Sequence, residues 1–265
     1  MKTKSVVLKE FQQLLLTKYS SETVKNYIGY TSQFLSQAKN PPLRVTNDDF
    51  LNYNVHLATS NIADSTRNVA INAVKSYFKM YLNKKVKEVV ALRPKKQSIV
   101  PQIIPHNLLL QKINAINNLK HRLIIKLGYC GLRSGEVINL KLLDIDVEAY
   151  VIKVFGKGKK ERIVPISEKL VFEILAYYDE YCPETYLFNG QTKLKYSASS
   201  IRNLVKKHIG NYRFHDLRHS FATRLLETGT DIKYIKELLG HKHLKTTEVY
   251  THATQTALQR IAMPV

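Results

Sequence analysis

Three prolines and three basic residues fall within thirteen positions, "RPKKQSIVPQIIP" at 93–105. Proline removes a backbone donor and cannot continue a helix, so this stretch cannot join the flanking segments into one helical body. It reads as an extended basic linker and divides the chain into residues 1–92 and 106–265. The two sides carry different patterns. Before it, "SETVKNYIGYTSQFL" places Val24, Tyr27, Ile28, Thr31, Phe34 and Leu35 at three- and four-residue steps, one face of a helix. "TNDDFLNYNVHLA" opens with Thr46 and Asp49 spaced as a capping box, and "DSTRNVAINAVKSYFKMYL" starts on an Asp64 cap and carries a Val74, Tyr77, Phe78, Tyr81, Leu82 stripe. With a segment near 5–16, four helices are predicted. Their aromatics sit at core spacing rather than as a platform for stacked bases.

After the linker the pattern is mixed. "LKHRLIIKLGYCGLRSGEVINL" reads as helix, glycine-marked turn and helix. "AYVIKVF" and "ERIVPI", joined by "GKGKK", read as a β-hairpin. Helices are predicted again around 167–181, 197–209, 215–228 and 231–239. The expected class is mainly α (α+β), with a mostly helical second domain carrying one small antiparallel β-sheet.

Charge narrows the partner. The chain holds 41 Lys and Arg against 21 Asp and Glu, a net +20, which favours a polyanion. Residues 1–105 hold 16 Lys and Arg against 6 Asp and Glu, so each half carries +10 and both halves suit the same anion. No apolar run approaches the roughly 18 residues of a spanning helix, and the amino terminus lacks a signal-peptide core. The expected setting is cytoplasmic, with nucleic acid rather than membrane as partner. Cys130 and Cys182 lack CxxC spacing and read as reduced thiols packed as small apolar groups.

Candidate chemistry concentrates in four short segments. In "HDLRHSFAT", His215 and Arg218 share a helix face. His215 and His219 have the spacing of a zinc pair, but Asp216 stands where HExxH needs glutamate and no third ligand is set by spacing, so no metal is expected. "GLRSGEV" holds Arg133 at a turn, "GKGKKERIVPI" puts Lys157 at a hairpin tip, and "LGHKHLKTTEVYTH" surrounds Tyr250 with His241, His243 and His252. Singly, each has a bland reading as surface charge or solvated turn.

In this order the four segments resemble the signature boxes of the tyrosine recombinase (phage integrase) family, across nearly all of 106–252. Residues 1–92 resemble that family's helical core-binding domain, and 106–265 its catalytic domain. The resemblance places a catalytic set on Arg133, Lys157, His215, Arg218, His241 and the nucleophile Tyr250, with Glu136 as a supporting carboxylate. It implies double-stranded DNA as substrate, a covalent 3′-phosphotyrosine intermediate, no cofactor, and a homotetramer on two DNA sites. The task would be integration, excision or resolution. The rival expectations are a DNA-binding protein that has lost catalysis, a relaxing topoisomerase of similar chemistry, or a zinc hydrolase. The tail "TALQRIAM" spaces Leu258, Ile261 and Ala262 as a short amphipathic helix, expected to dock on a neighbouring protomer.

Overall fold

A computed structural model describes residues 2–87, 93, 101–156, 161–190 and 195–240. The chain divides into two compact units, Met1–Ser98 and Ile99–Val265. Most of the basic proline-rich stretch, residues 94–100, lies outside the described residues, as do Lys157 and everything from His241 onward, including the "TALQRIAM" tail.

The first unit contains α1 (Lys4–Leu16), α2 (Ser21–Gln37), α3 (Asn47–Thr59) and α4 (Asp64–Ser76). The Thr46 capping box is formed: Asp49 Oδ2 accepts from Thr46 N at 2.8 Å, and Asp49 N donates to Thr46 Oγ1 at 3.3 Å. Asp64 does not cap α4. The cap is Ala63, and Asp64 is the first helical residue, where its carboxylate acts only through the helix dipole. After Ser76 the helix widens through Tyr77–Tyr81, with Leu82 N donating to Tyr77 O at 3.2 Å, one residue beyond the α-helical register. The predicted aromatic stripe is core. Phe34 lies with ring centroids 6.2 Å from Phe50, 5.5 Å from Tyr53 and 6.1 Å from Phe78, and all four are buried.

The second unit opens with α5 (His106–Asn114), a short helix that the sequence pattern did not reveal, followed by α6 (Leu119–Tyr129) and α7 (Ser134–Asn139). A three-stranded antiparallel sheet follows, β1 (Ile145–Asp146), β2 (Val151–Phe155) and β3 (Glu161–Pro165), in that spatial order. The predicted hairpin pairs Phe155 with Glu161 and Val154 with Arg162. The remaining helices are α8 (Glu168–Tyr181), α9 (Ala198–His208), α10 (Phe214–Glu227) and α11 (Ile232–Leu239). Leu123, Ile124, Ile125 and Leu127 are all fully buried, so α6 packs most of its circumference into the core, while Arg122 and Lys126 mark a polar side that meets Glu173. Ile104 joins that core, and its N–H donates to Ser220 Oγ at 2.8 Å. Cys130 is half-buried, but Cys182 is exposed and does not pack as expected: it ends α8 in the left-handed region, at φ 44°. No helix among the described residues is long and apolar enough to cross a membrane.

Candidate active site

The turn between α6 and α7 sets the first arginine. Gly131 has φ +90°, and a Cβ there would lie 3.0 Å from Leu239 Cδ2 and 3.1 Å from the Phe221 ring, so both backbone and space require glycine. Arg133 then takes the N-cap of α7. Arginine has no acceptor and caps poorly. Glu136, three residues on, compensates: it accepts from Arg133 N at 2.7 Å and from Arg133 Nη1 at 2.8 Å. Burial works to raise the Glu136 carboxyl, but hydrogen bonds from Arg162 and the Arg133 amide, with the Arg162 charge, hold it down to about 2.

The start of α10 repeats the device. Arg213 is its N-cap, and Asp216, fully buried, accepts from Arg213 N at 2.7 Å and Nη2 at 3.1 Å. This anchors the turn that presents His215 and Arg218. The Arg218 side chain is wholly buried and donates through Nη1 to Gly131 O and through Nη2 to Leu239 O. Arg133 Nη2 reaches toward Leu239 O and Gly240 O, each at 3.4 Å. Two arginines 85 positions apart in the sequence thus converge on the carbonyl end of α11.

His215 lies in their field. Burial first, then the Arg218 and Arg133 charges, lower its pKa, so the imidazole is neutral near pH 7. His219 packs edge-on against it, ring centroids 4.4 Å apart, and burial followed by the His215 charge pushes it down to about 4. Among the described residues no group of three or more His, Cys, Asp or Glu is arranged to hold a metal ion.

One residue escaped the sequence reading. Arg162, on β3, lays both arms on Glu136, with Nη1 to Oε1 at 2.8 Å and Nη2 to Oε2 at 2.7 Å, and donates through Nε to Leu238 O at 2.8 Å. The available signal was strand alternation, since Arg162 shares a face with Val164 and Ile166. The structure therefore brings together Arg133, Glu136, His215 and Arg218 of the predicted set. Lys157, His241 and Tyr250 lie outside the described residues.

Comparison with known proteins matches the model of the phage integrase family to residues 103–257. The chain belongs to this family. Residues 8–88 match the phage integrase N-terminal SAM-like domain. This tyrosine recombinase is 36% identical to tyrosine recombinase XerA of Pyrococcus horikoshii over 96% of its own length and 92% of the relative's. It is 31% identical to tyrosine recombinase XerC of Natranaerobius thermophilus, covering 82% and 81% of the two chains. Among solved structures, a XerA recombinase is 31% identical over 96% of both chains with a TM-score of 0.54. XerH bound to palindromic difH in a post-cleavage complex is 22% identical, covers 97% and 88% of the two chains, and scores 0.70, a likeness of fold. Site-specific recombination is thus the activity of this enzyme, and a mainly helical fold with one small sheet is the architecture it shares with those structures.

Proposed function

We propose that this recombinase binds double-stranded DNA and cuts and rejoins its strands through Tyr250, using the six residues that match the family boxes. The observation that carries the reading is the meeting of Arg133 and Arg218 at the end of α11, two residues before His241 in the sequence. Among the described residues at this point, Arg133 and Arg162 share the Glu136 carboxylate while Arg218 bonds backbone carbonyls, and the excess positive charge suits a phosphodiester.

In the proposed step the Tyr250 hydroxyl attacks phosphorus, the bond from phosphorus to the 5′-oxygen breaks, and the 3′-phosphate stays on the tyrosine. Arg133 and Arg218 neutralise the non-bridging oxygens with planar, permanently charged forks. His241 adds a donor as charge develops there. His215, neutral through its lowered pKa, takes the phenolic proton, and Lys157 gives a proton to the departing 5′-oxygen. A free 5′-hydroxyl reverses these transfers, so rejoining needs no energy source and no metal enters the reaction. The biological unit would be a homotetramer on two DNA sites, acting in the cytoplasm in integration, excision or resolution. XerH, of the same fold, has been crystallised on its difH substrate, which supports duplex DNA as the partner.

The test is Tyr250→Phe, which removes one hydroxyl. The variant should bind DNA as the parent does and give no denaturation-resistant protein–DNA band on a nicked site. Such a band from the variant would move the attachment to another tyrosine.

A further inference from the structure

We propose that Arg162 is a positioning residue for strand cleavage, holding Arg133 in place through Glu136 while it pins the end of α11. The inference rests on the reading of Arg133 as a phosphate clamp. It begins with an inversion on β3. Ile163 is 56% exposed, while the Arg162 side chain is 8% exposed, the reverse of what packing alone would select. Its partner Glu136 is equally withdrawn, at 7%. A buried ion pair is on average no more stabilising than apolar residues of the same volume, so its presence here calls for a geometric use.

The geometry supplies one. Glu136 Oε1 accepts from Arg133 Nη1 and Arg162 Nη1, both at 2.8 Å, and Oε2 accepts from Arg133 N and Arg162 Nη2, both at 2.7 Å. All four donors come from two arginines, one on the turn and one on the strand. With Arg162 absent, half of these bonds vanish and the carboxylate can rotate, taking the Arg133 guanidinium with it. Arg162 Nε meanwhile holds Leu238 O. The chain then turns directly over the arginine stem: Gly240 has φ +60°, and a Cβ there would lie 3.2 Å from Arg162 Cδ. One side chain, five positions after Lys157, therefore bonds β3 to the α6–α7 turn and to the last turn before His241.

The experiment measures covalent complex formation at saturating DNA. The probe is a nicked duplex bearing the site that the parent protein selects from a random pool. Arg162→Met keeps the stem and removes the fork. It should bind with parent affinity and cleave about 100-fold more slowly, the scale of an ångström-sized misplacement. Arg162→Lys, which keeps the charge but cannot span both oxygens, should recover part of that loss. A second probe replaces the scissile phosphate with a methylphosphonate, whose neutral phosphorus centre depends less on a cationic clamp. On it the Arg162→Met defect should shrink, as the Arg133→Ala defect should. Parent-rate cleavage by Arg162→Met, or a defect of the same size on both phosphates, would overturn the proposal. If Arg162→Met fails to fold, Arg162→Lys on the two probes decides by the same comparison. Normal cleavage by Arg133→Ala would instead remove the clamp reading beneath it.

Discussion

At the scale of single residues, Glu136 concentrates the electrostatics of the site. Its carboxyl falls from the usual 4.5 to about 2 on folding, because its hydrogen bonds and the Arg162 charge outweigh burial. A carboxyl depressed in this way contributes stability that is fully present above its unfolded value and is lost as pH falls toward the folded one. The contribution is on the order of 3 kcal/mol, and it disappears between about pH 4.5 and about pH 2. Glu136→Gln cannot titrate. The stability advantage of the parent over this variant, from urea unfolding, should therefore shrink between about pH 6 and about pH 3. An advantage independent of pH would mean that the carboxylate is not held ionised by its arginines. His215 and His219 show what spacing alone conveys. Four-residue separation puts both on one helix face, but only the structure shows the burial that keeps His219 neutral and its edge-on packing against His215.

At the scale of elements, the site depends on how closely α6 and α10 approach. Gly128 on α6 makes that approach possible: a Cβ there would lie 2.6 Å from Phe214 Cζ and 2.9 Å from Leu217 Cδ1, both buried side chains of α10. Gly128→Ala gains about 1 kcal/mol of helix propensity. It also overpacks the core, at a cost of about 1–3 kcal/mol. The net should be a lowered thermal midpoint. Because α10 carries His215 and Arg218, cleavage at saturating DNA should fall more than DNA affinity does. An alanine variant as stable and as active as the parent would show that the helices can part freely. α2, α6 and α8 span several turns, and their apolar faces repeat often enough to read. β1 has two residues, too few for the strand period to declare itself, whereas α5, longer than α7 and α11, follows directly on the proline-rich stretch that reads as extended. The sequence pattern places Asp64 one position early, at the cap, because a carboxylate is favoured both there and in the first turn. Arg133 and Arg218 could be found from their boxes. Arg162 has only strand alternation to mark it, since its importance lies in a partner 26 positions away and in the burial of both.

At the scale of the whole molecule, two cores and two charges run in parallel. The core of the first unit draws on Val7 to Val86 and the main core of the second on Ile104 to Leu238, beside a small cluster of Ala222, Ile235 and Leu239, with no residue shared between the units. Each unit thus buries its own apolar surface, the requirement for folding alone. The charge divides the same way, since all 16 basic and 6 acidic residues of 1–105 precede Ser98, leaving +10 on each unit. Neutralising a phosphate releases counterions, so binding weakens with salt at a log–log slope of about −0.9 per contact on duplex DNA. If both units meet the same duplex, their contacts combine in one slope. The full chain should then show a steeper salt dependence than either 1–98 or 99–265 measured separately on the same DNA. The second fragment should still bind at low salt, and it should release at a lower salt concentration than the full chain. A fragment 99–265 with the slope of the full chain would mean that the first unit makes no phosphate contacts, and that its ten excess charges serve another purpose.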